Sequence, residues 1–258
     1  MQPMGKVIAI SNQKGGVGKT TTAVNLSASV AAEGKRTLLI DIDPQGNATS
    51  GLGMGKRQVP SVYDVLIEGL DPAGALLDTG FSGLMLLRAG IELAGAEIEL
   101  VGEDGREEKL KRAIQGLRDE YDYIFIDCPP SLGLLTLNAL TAADGVLIPI
   151  QCEYYALEGV GQLMNTVRLV RKKLNPLLAV TGIALTMYDA RTNLGAQVVK
   201  EVRTHFPDEA FETLVPRNVR LSEAPSFGIP IGEYDPRCPG AVAYRDLARE
   251  LIRRGAQG

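Results

Sequence analysis

Between Ser11 and Thr22 the chain reads SNQKGGVGKTTT, with glycines at 15, 16 and 18 and lysines at 14 and 19. Glycine can adopt backbone angles closed to residues with side chains, which brings N–H groups close to an anion. Lys19 supplies a point charge, and Thr20 offers a hydroxyl suited to a divalent cation. A helix opening near Lys19 would add unpaired N–H donors and the positive end of its dipole. Such residues hold a phosphate chain. The general pattern is G-x-x-x-x-G-K-[ST], and Gln13 stands where its first glycine belongs. The strict pattern therefore fails by one residue while its physics survives. Gly15, Gly16, Val17, Gly18, Lys19, Thr20 and Thr21 are the expected phosphate contacts. A cradle of this kind does not by itself need Lys14.

Two acidic stretches complete the chemistry. Asp127 ends the apolar run YIFIDC, the usual place for a carboxylate that holds Mg2+ directly or through water. Asp41 and Asp43 lie in LLIDIDPQGNATSG and point the same way if that strand continues through them. Asp43 is nearer the loop and is the candidate for orienting an attacking water. A turn-capping aspartate ahead of Pro44 is its plainer reading. The guanine-reading pattern [NT]-K-x-D is absent, and Thr186–Asp189, TMYD, lacks the lysine, which favours ATP. His205 is the only histidine, so there is no histidine-based nucleophile triad and no multi-histidine metal centre.

The elements that must position these groups follow from hydropathy. Residues 6–11, 36–42, 84–89, 123–128, 146–150 and 179–188 form near-continuous apolar runs, as buried parallel strands do. Helices are expected at 19–33, 61–69, 106–119, 132–142, 157–174, 192–206 and 240–254. This alternation predicts an α/β fold with right-handed crossovers, a doubly wound, mostly parallel sheet covered on both faces. With no linker or repeat, residues 1–258 are expected to form one domain. Ligands of such sheets sit beyond the carboxyl ends of the strands, where the glycine loop and both acidic stretches fall.

Composition narrows the field. The net charge of −4 argues against a general polyanion binder, but its distribution is uneven. Residues 1–150 hold 13 basic and 19 acidic side chains, whereas residues 151–258 hold 14 and 12. Nucleic-acid contact, if any, belongs to the second part. Cys128, Cys152 and Cys238 show no metal-binding spacing and are expected as buried thiols in a reducing compartment. No apolar run approaches membrane-span length, and the first residues do not read as a signal peptide.

The motifs KGGVGKTTT, DIDPQGNATSGLG, DCPPSLGLLTLNAL, QCEYYALEGV and PRNVRLSEAPSFG together resemble the ParA/Soj family of chromosome- and plasmid-partitioning ATPases. The resemblance runs from about Lys6 to Leu251 and is weakest over 54–110. It implies a weak ATPase that uses ATP and Mg2+ and forms an ATP-dependent homodimer. Lys14 would reach across the dimer to the partner's nucleotide, a cation that offsets buried phosphate charge. Pro216 and Asn218 match positions near the adenosine. Arg191 and Arg220 match positions that bind double-stranded DNA without reading sequence, and Lys200, Arg203 and Arg217 could extend that patch. The resemblance also implies a ParB-type centromere-binding partner and a cytoplasmic, nucleoid-associated location, with no membrane. Two alternatives are a MinD-like membrane-cycling ATPase, which would need its C-terminal helix as an amphipathic anchor, and an electron-donating ATPase with cysteines bridging a cluster.

Overall fold

The apolar runs become a single eight-stranded sheet. The computed structural model describes residues 4–55, 60–153 and 156–256. Residues 56–59 and 154–155, which fall within the 54–110 stretch and the QCEYYALEGV motif, lie outside it. The strands are β1 (Lys6–Ile10), β2 (Thr37–Asp41), β3 (Leu76–Asp78), β4 (Leu84–Leu87), β5 (Tyr123–Asp127), β6 (Gly145–Gln151), β7 (Ala179–Tyr188) and β8 (Ala210–Pro216). Their order is β3-β4-β2-β5-β1-β6-β7-β8. Pairing is parallel except between β3 and β4. This is the doubly wound, mostly parallel α/β architecture expected from the alternation.

Strand periodicity divides the core into two layers. Val7 and Ala9 of β1 face one way, among Leu38, Ile40, Ile124 and Ile126. That layer is covered by α3 (Val62–Leu66), α4 (Leu93–Glu99), α5 (Lys109–Ala113), α6 (Leu134–Ala142), α7 (Ala156–Lys173) and α8 (Asn193–His205). Ile8 and Ile10 face the other way, among Leu39, Phe125 and Leu147. Here α1 (Lys19–Ala32), α2 (Asn47–Gly51), α9 (Val219–Glu223), α10 (Ile231–Tyr234) and α11 (Pro239–Gly255) close the sheet. Tyr244, Leu247 and Leu251 of α11 are fully or almost fully buried against that layer. Each such side chain stabilises the fold by about 1.5–3 kcal/mol relative to exposure. The apolar face of the last helix is therefore spent on the core.

Several elements differ from expectation. The strand expected at 36–42 ends at Asp41, and that at 84–89 ends at Leu87. The helix expected over 61–69 is reduced to α3, which is held by a capping box between Ser61 and Asp64. The one expected over 106–119 divides into α5 and a 3-10 turn, Gly116–Asp119. β8 was not expected, because Glu212 and Thr213 interrupt its apolar pattern. Their N–H groups donate to the Glu250 carboxylate on α11, at 2.8 and 3.0 Å. An outermost strand can satisfy itself through such side-chain acceptors and needs no continuous apolar run.

Candidate functional site: a phosphate loop and its carboxylates

β1 delivers the glycine loop to the carboxyl end of the sheet, between β5 and β6. Gly16 and Gly18 take left-handed angles, with φ of 73° and 85°, whereas Gly15 is not among the left-handed residues. A Cβ on Gly15 or Gly16 would meet no protein atom within 4 Å, so the loop presents bare backbone on an open side. Asn12 holds its base: Nδ2 donates to Pro149 O at 2.7 Å, and Oδ1 accepts the Lys14 N–H at 3.0 Å. Thr186, on β7, shares its hydroxyl between Val17 O at 2.9 Å and Ile150 O at 3.1 Å. No side chain caps α1 at Gly18, which leaves the first-turn donors of that helix to an anion.

Lys19 is 7% exposed, and its Nζ donates to Lys14 O at 3.0 Å. Burial lowers its pKa, while Asp127 and Asp43 favour its charged form. The Lys14 carbonyl therefore faces the loop. Its side chain is half-exposed, and its ammonium has no ion pair or hydrogen bond among the described residues.

The carboxylates differ sharply. Asp127 is fully buried, and neither of its oxygens has a hydrogen-bond partner. Burial, then the nearby Asp41 charge, push its pKa well up; the Thr20 hydroxyl and the Lys19 ammonium offset part of this. An orphaned buried carboxylate beside a hydroxyl and an ammonium fits a Mg2+ site, since Mg2+ takes one or two carboxylates together with substrate phosphates. Asp41 is fully satisfied: it accepts from Thr49 N at 2.8 Å, Thr49 Oγ1 at 2.7 Å and Asp43 N at 3.1 Å. Burial raises its pKa to about 6, against those hydrogen bonds. Because β2 stops at Asp41, the alternation that would align Asp41 with Asp43 does not apply. Asp43 lies in the following turn, 7% exposed, and accepts the Gln45 N–H at 2.9 Å. It caps that turn and also lies close enough to raise the Asp127 pKa and to favour the Lys19 cation.

A cavity of ≈ 280 Å³ adjoins the loop, lined by Gly18, Thr21, Met187, Pro216, Asn218 and Tyr244 among others. Pro216 and Asn218 are thus brought beside the phosphate loop. Asn218 Oδ1 accepts the Arg220 N–H and caps α9. From its apolar segment Met187 reads as core filler, and its place in the wall of this cavity was missed. Among the described residues it is the one non-glycine with positive φ, 51°, a strained conformation of the kind that gathers at binding sites. Thr186 was likewise missed; the signal was its place at the end of an apolar strand, in the TMYD already noted.

The suspected DNA-contact cations are not one group. Arg191 and Arg217 are neighbours: Arg191 pairs with Asp189 at 2.7 Å, and both arginines act on that carboxylate. Arg217 also lies 3.6 Å from Glu153. Arg220 pairs with Glu223 at 2.8 Å and Asp235 at 3.6 Å. Lys200 is exposed on the middle of α8. Arg203 is set apart, donating at 2.8 Å to Glu212 O near the start of β8, whereas Arg217 follows the end of that strand. Five strand residues separate those positions by roughly 17 Å. Carboxylates thus shadow most of the expected patch.

Past the site, α2 ends in a turn at Gly53 (φ 76°), and Gly228 (φ 67°) follows the 3-10 turn Ala224–Phe227. A Cβ on Gly228 would lie 2.5 Å from Gly53 Cα. The segment after Asp43 and the segment after Asn218 therefore touch backbone to backbone.

A glycine loop between a parallel strand and an uncapped helix, with an acid at the end of the adjacent strand, defines a P-loop ATPase. Residues 5–180 match the family model described as an AAA domain. The chain is 61% identical to the sporulation initiation inhibitor protein Soj of Bacillus subtilis, covering 98% of this chain and 100% of that one. It is 56% identical to the chromosome partitioning protein ParA of Myxococcus xanthus, covering 97% and 89%. Its fold is similar to that of cobyrinic acid a,c-diamide synthase from Mycobacterium smegmatis, solved with bound ADP and magnesium. That likeness has a TM-score of 0.87 and 41% identity, and it covers 99% of this chain and 97% of that one. The chain belongs to the ParA/Soj family of partitioning ATPases.

Proposed function

We propose that this chain is an ATP-driven switch for DNA partition, folded as one domain over residues 1–258. The observation that carries the reading is Asp127, a buried carboxylate with both oxygens unpartnered, beside Lys19 and Thr20. Thr20 and Asp127 would hold Mg2+, which when bound neutralises charge on the outer phosphate oxygens. The N–H groups of Gly15 to Thr21 and the Lys19 ammonium bind and orient the phosphate chain. Pro216 and Asn218, with Met187, bound the cavity that receives adenosine. Asp43 orients the attacking water.

Lys14 acts in trans, reaching the nucleotide of a second copy. The half-exposed ammonium, unpaired among the described residues, on a loop whose carbonyl is turned inward supports this. A triphosphate enclosed between two subunits needs such cations to offset its desolvation. Dimerisation then depends on the terminal phosphate, and hydrolysis resets the oligomeric state. The dimer binds double-stranded DNA through Arg191, Arg217 and Arg220, with Lys200, exposed on the middle of α8, as a further contact. The half-exposed partners Glu153, Glu223 and Asp235 are exchanged at little cost, because solvated ion pairs contribute little, whereas Asp189, 22% exposed, holds Arg191 through both backbone and side chain. Arg203 is occupied by the β8 backbone and extends the patch least. A ParB-type partner stimulates hydrolysis, and the protein acts in the cytoplasm on the nucleoid. A MinD-like membrane anchor is disfavoured by the buried apolar face of α11, and among the described residues no helix is long and apolar enough to cross a membrane.

The test is to size the protein with ADP and with a non-hydrolysable ATP analogue, each with and without plasmid DNA. A dimer formed only with the analogue, and only then shifted by DNA, is the expected result. A monomer in saturating analogue and Mg2+ would refute the scheme.

A further inference from the structure

The stretch from Ile91 to Glu108 takes no part in the nucleotide chemistry, yet it carries an unusual surface. Ile91, Ile98 and Val101 are 58%, 79% and 59% exposed. They recur at helical spacing with exposed Ala94 between them, along α4 and its flanking turns. The opposite side of α4, Leu93 and Ala96, is already buried in the core, so the stripe is a second apolar face left open among the described residues. Residues 91–108 also hold seven carboxylates against one cation, Arg106. Arg106 pairs with Glu107, and the following Lys109 and Arg112 pair with Glu103 and Glu108. Glu99 and Asp104 have no cation in ion-pair reach among the described residues. An apolar row flanked by uncompensated acids is complementary to a helix with an apolar face bordered by Lys or Arg.

This face is continuous with the nucleotide site. Glu97 Oε1 accepts the Leu135 N–H at 3.4 Å, at the N-terminus of α6. It also packs so closely on Gly133 that a Cβ there would lie 1.9 Å from it. The chain from Asp127 to Gly133 runs directly into that junction, and Leu132 within it is 44% exposed.

We propose that the Ile91–Ile98–Val101 face is a docking site for a basic amphipathic helix of a partner protein. The stripe spans ten residues, roughly 15 Å, or about three turns of a partner helix. It joins the nucleotide site through Glu97 and α6, so the occupant is placed to act on the Asp127 loop. The proposal names a surface for a stimulating partner, but its binding test does not rest on the ATPase or DNA readings, because it is read without nucleotide.

The probe is a fluorescein-labelled Leu/Lys peptide of about 16 residues with leucines at helical spacing, measured by anisotropy against the full chain. A shuffled peptide of the same composition and a Leu/Glu counterpart are the controls. The Leu/Lys peptide is expected to bind. Ile98→Asp should weaken it at least tenfold, and the double variant Glu99→Lys, Asp104→Lys several-fold, with added salt weakening it further. Ile98 is so exposed that Ile98→Asp should leave the melting temperature and basal ATP turnover unchanged; Ile91→Asp serves as a second variant. Equal binding to the wild type and both aspartate variants would overturn the proposal. So would equal binding of the shuffled peptide, which would reduce the face to a charge effect. Nucleotide-free self-association lost in Ile98→Asp would also overturn it, assigning the stripe to a second copy of this chain.

Discussion

Thr49 offers the sharpest test of how Asp43 is held. Its hydroxyl donates to Asp41 Oδ2 at 2.7 Å and accepts the Ala89 N–H at 3.0 Å, in a fully buried setting. Asp41 in turn accepts the Asp43 N–H. Thr49→Val keeps the side-chain shape and removes both bonds. An orphaned buried N–H costs about 1–3 kcal/mol, and a lost hydrogen bond to a carboxylate costs about 1.5–3 kcal/mol. The added methyl returns about 0.8 kcal/mol, and Asp41 keeps the Thr49 N–H. The net loss is about 3 kcal/mol, or a fall in Tm of about 6–12 °C for a chain of this size. Thr49→Ser keeps the hydroxyl and loses only a methyl, about 1 kcal/mol. Urea unfolding of the nucleotide-free protein measures the difference, and ATP turnover should fall in the valine variant and survive in the serine one. If Thr49→Val is as stable and as active as Thr49→Ser, the Asp41–Thr49–Ala89 chain does not position Asp43.

Lys19→Ala should abolish the gain in thermal stability that ATP confers, about 2.7 kcal/mol at a hundred times Kd; retained tight ATP binding would contradict the loop assignment. Asp43→Ala should stop turnover while preserving the ATP-dependent dimer, read by sizing over hours. Asp41 is held at about 6 in the folded chain, above its ordinary value near 3.8, so the fold binds its proton more tightly than the unfolded chain does. Its contribution is present below about pH 4 and lost as pH rises through about 6. Unfolding free energy of the nucleotide-free wild type minus that of Asp41→Asn should therefore fall between pH 4 and 7 by about 3 kcal/mol at most; a flat difference would reject the assignment. Arg220→Glu should weaken DNA binding about equally on all sequences and spare dimerisation, with an effect that shrinks as salt rises; a sequence-selective defect would indicate base readout.

What the sequence revealed and what it hid follow from where the information lies. β1, β2, β5, β6 and β7 are covered on both sides, so their apolar runs are unbroken and legible. β8 hid because Glu212 and Thr213 borrow a carboxylate 38 and 37 residues away in sequence, respectively. α2 hid because NATSG reads as a turn, and α4 because LAGAEIE divides its apolar residues between a buried and an exposed face. Within the site, the glycine loop, Lys19, Thr20 and Asp127 are contiguous with signals that a single chain displays. Thr186 works on Val17 across 169 residues, and Met187 contributes a backbone strain that no residue type announces. The shadowing of Arg191 by Asp189 was readable in DARTNLG, where the two lie two residues apart. That of Arg220 by Asp235 needed the fold.

The touch between Gly53 and Gly228 sets a tolerance for the whole molecule. Side chains can rotate to absorb a displacement, but two bare main-chain segments pressed together have no such slack. A shift of a few tenths of an ångström on the Asp43 side must be passed on whole, or resisted whole, by the stretch leading back to Arg220. A methyl group on Gly228 would press on the Gly53 main chain and wedge the two segments apart before a single substrate arrived.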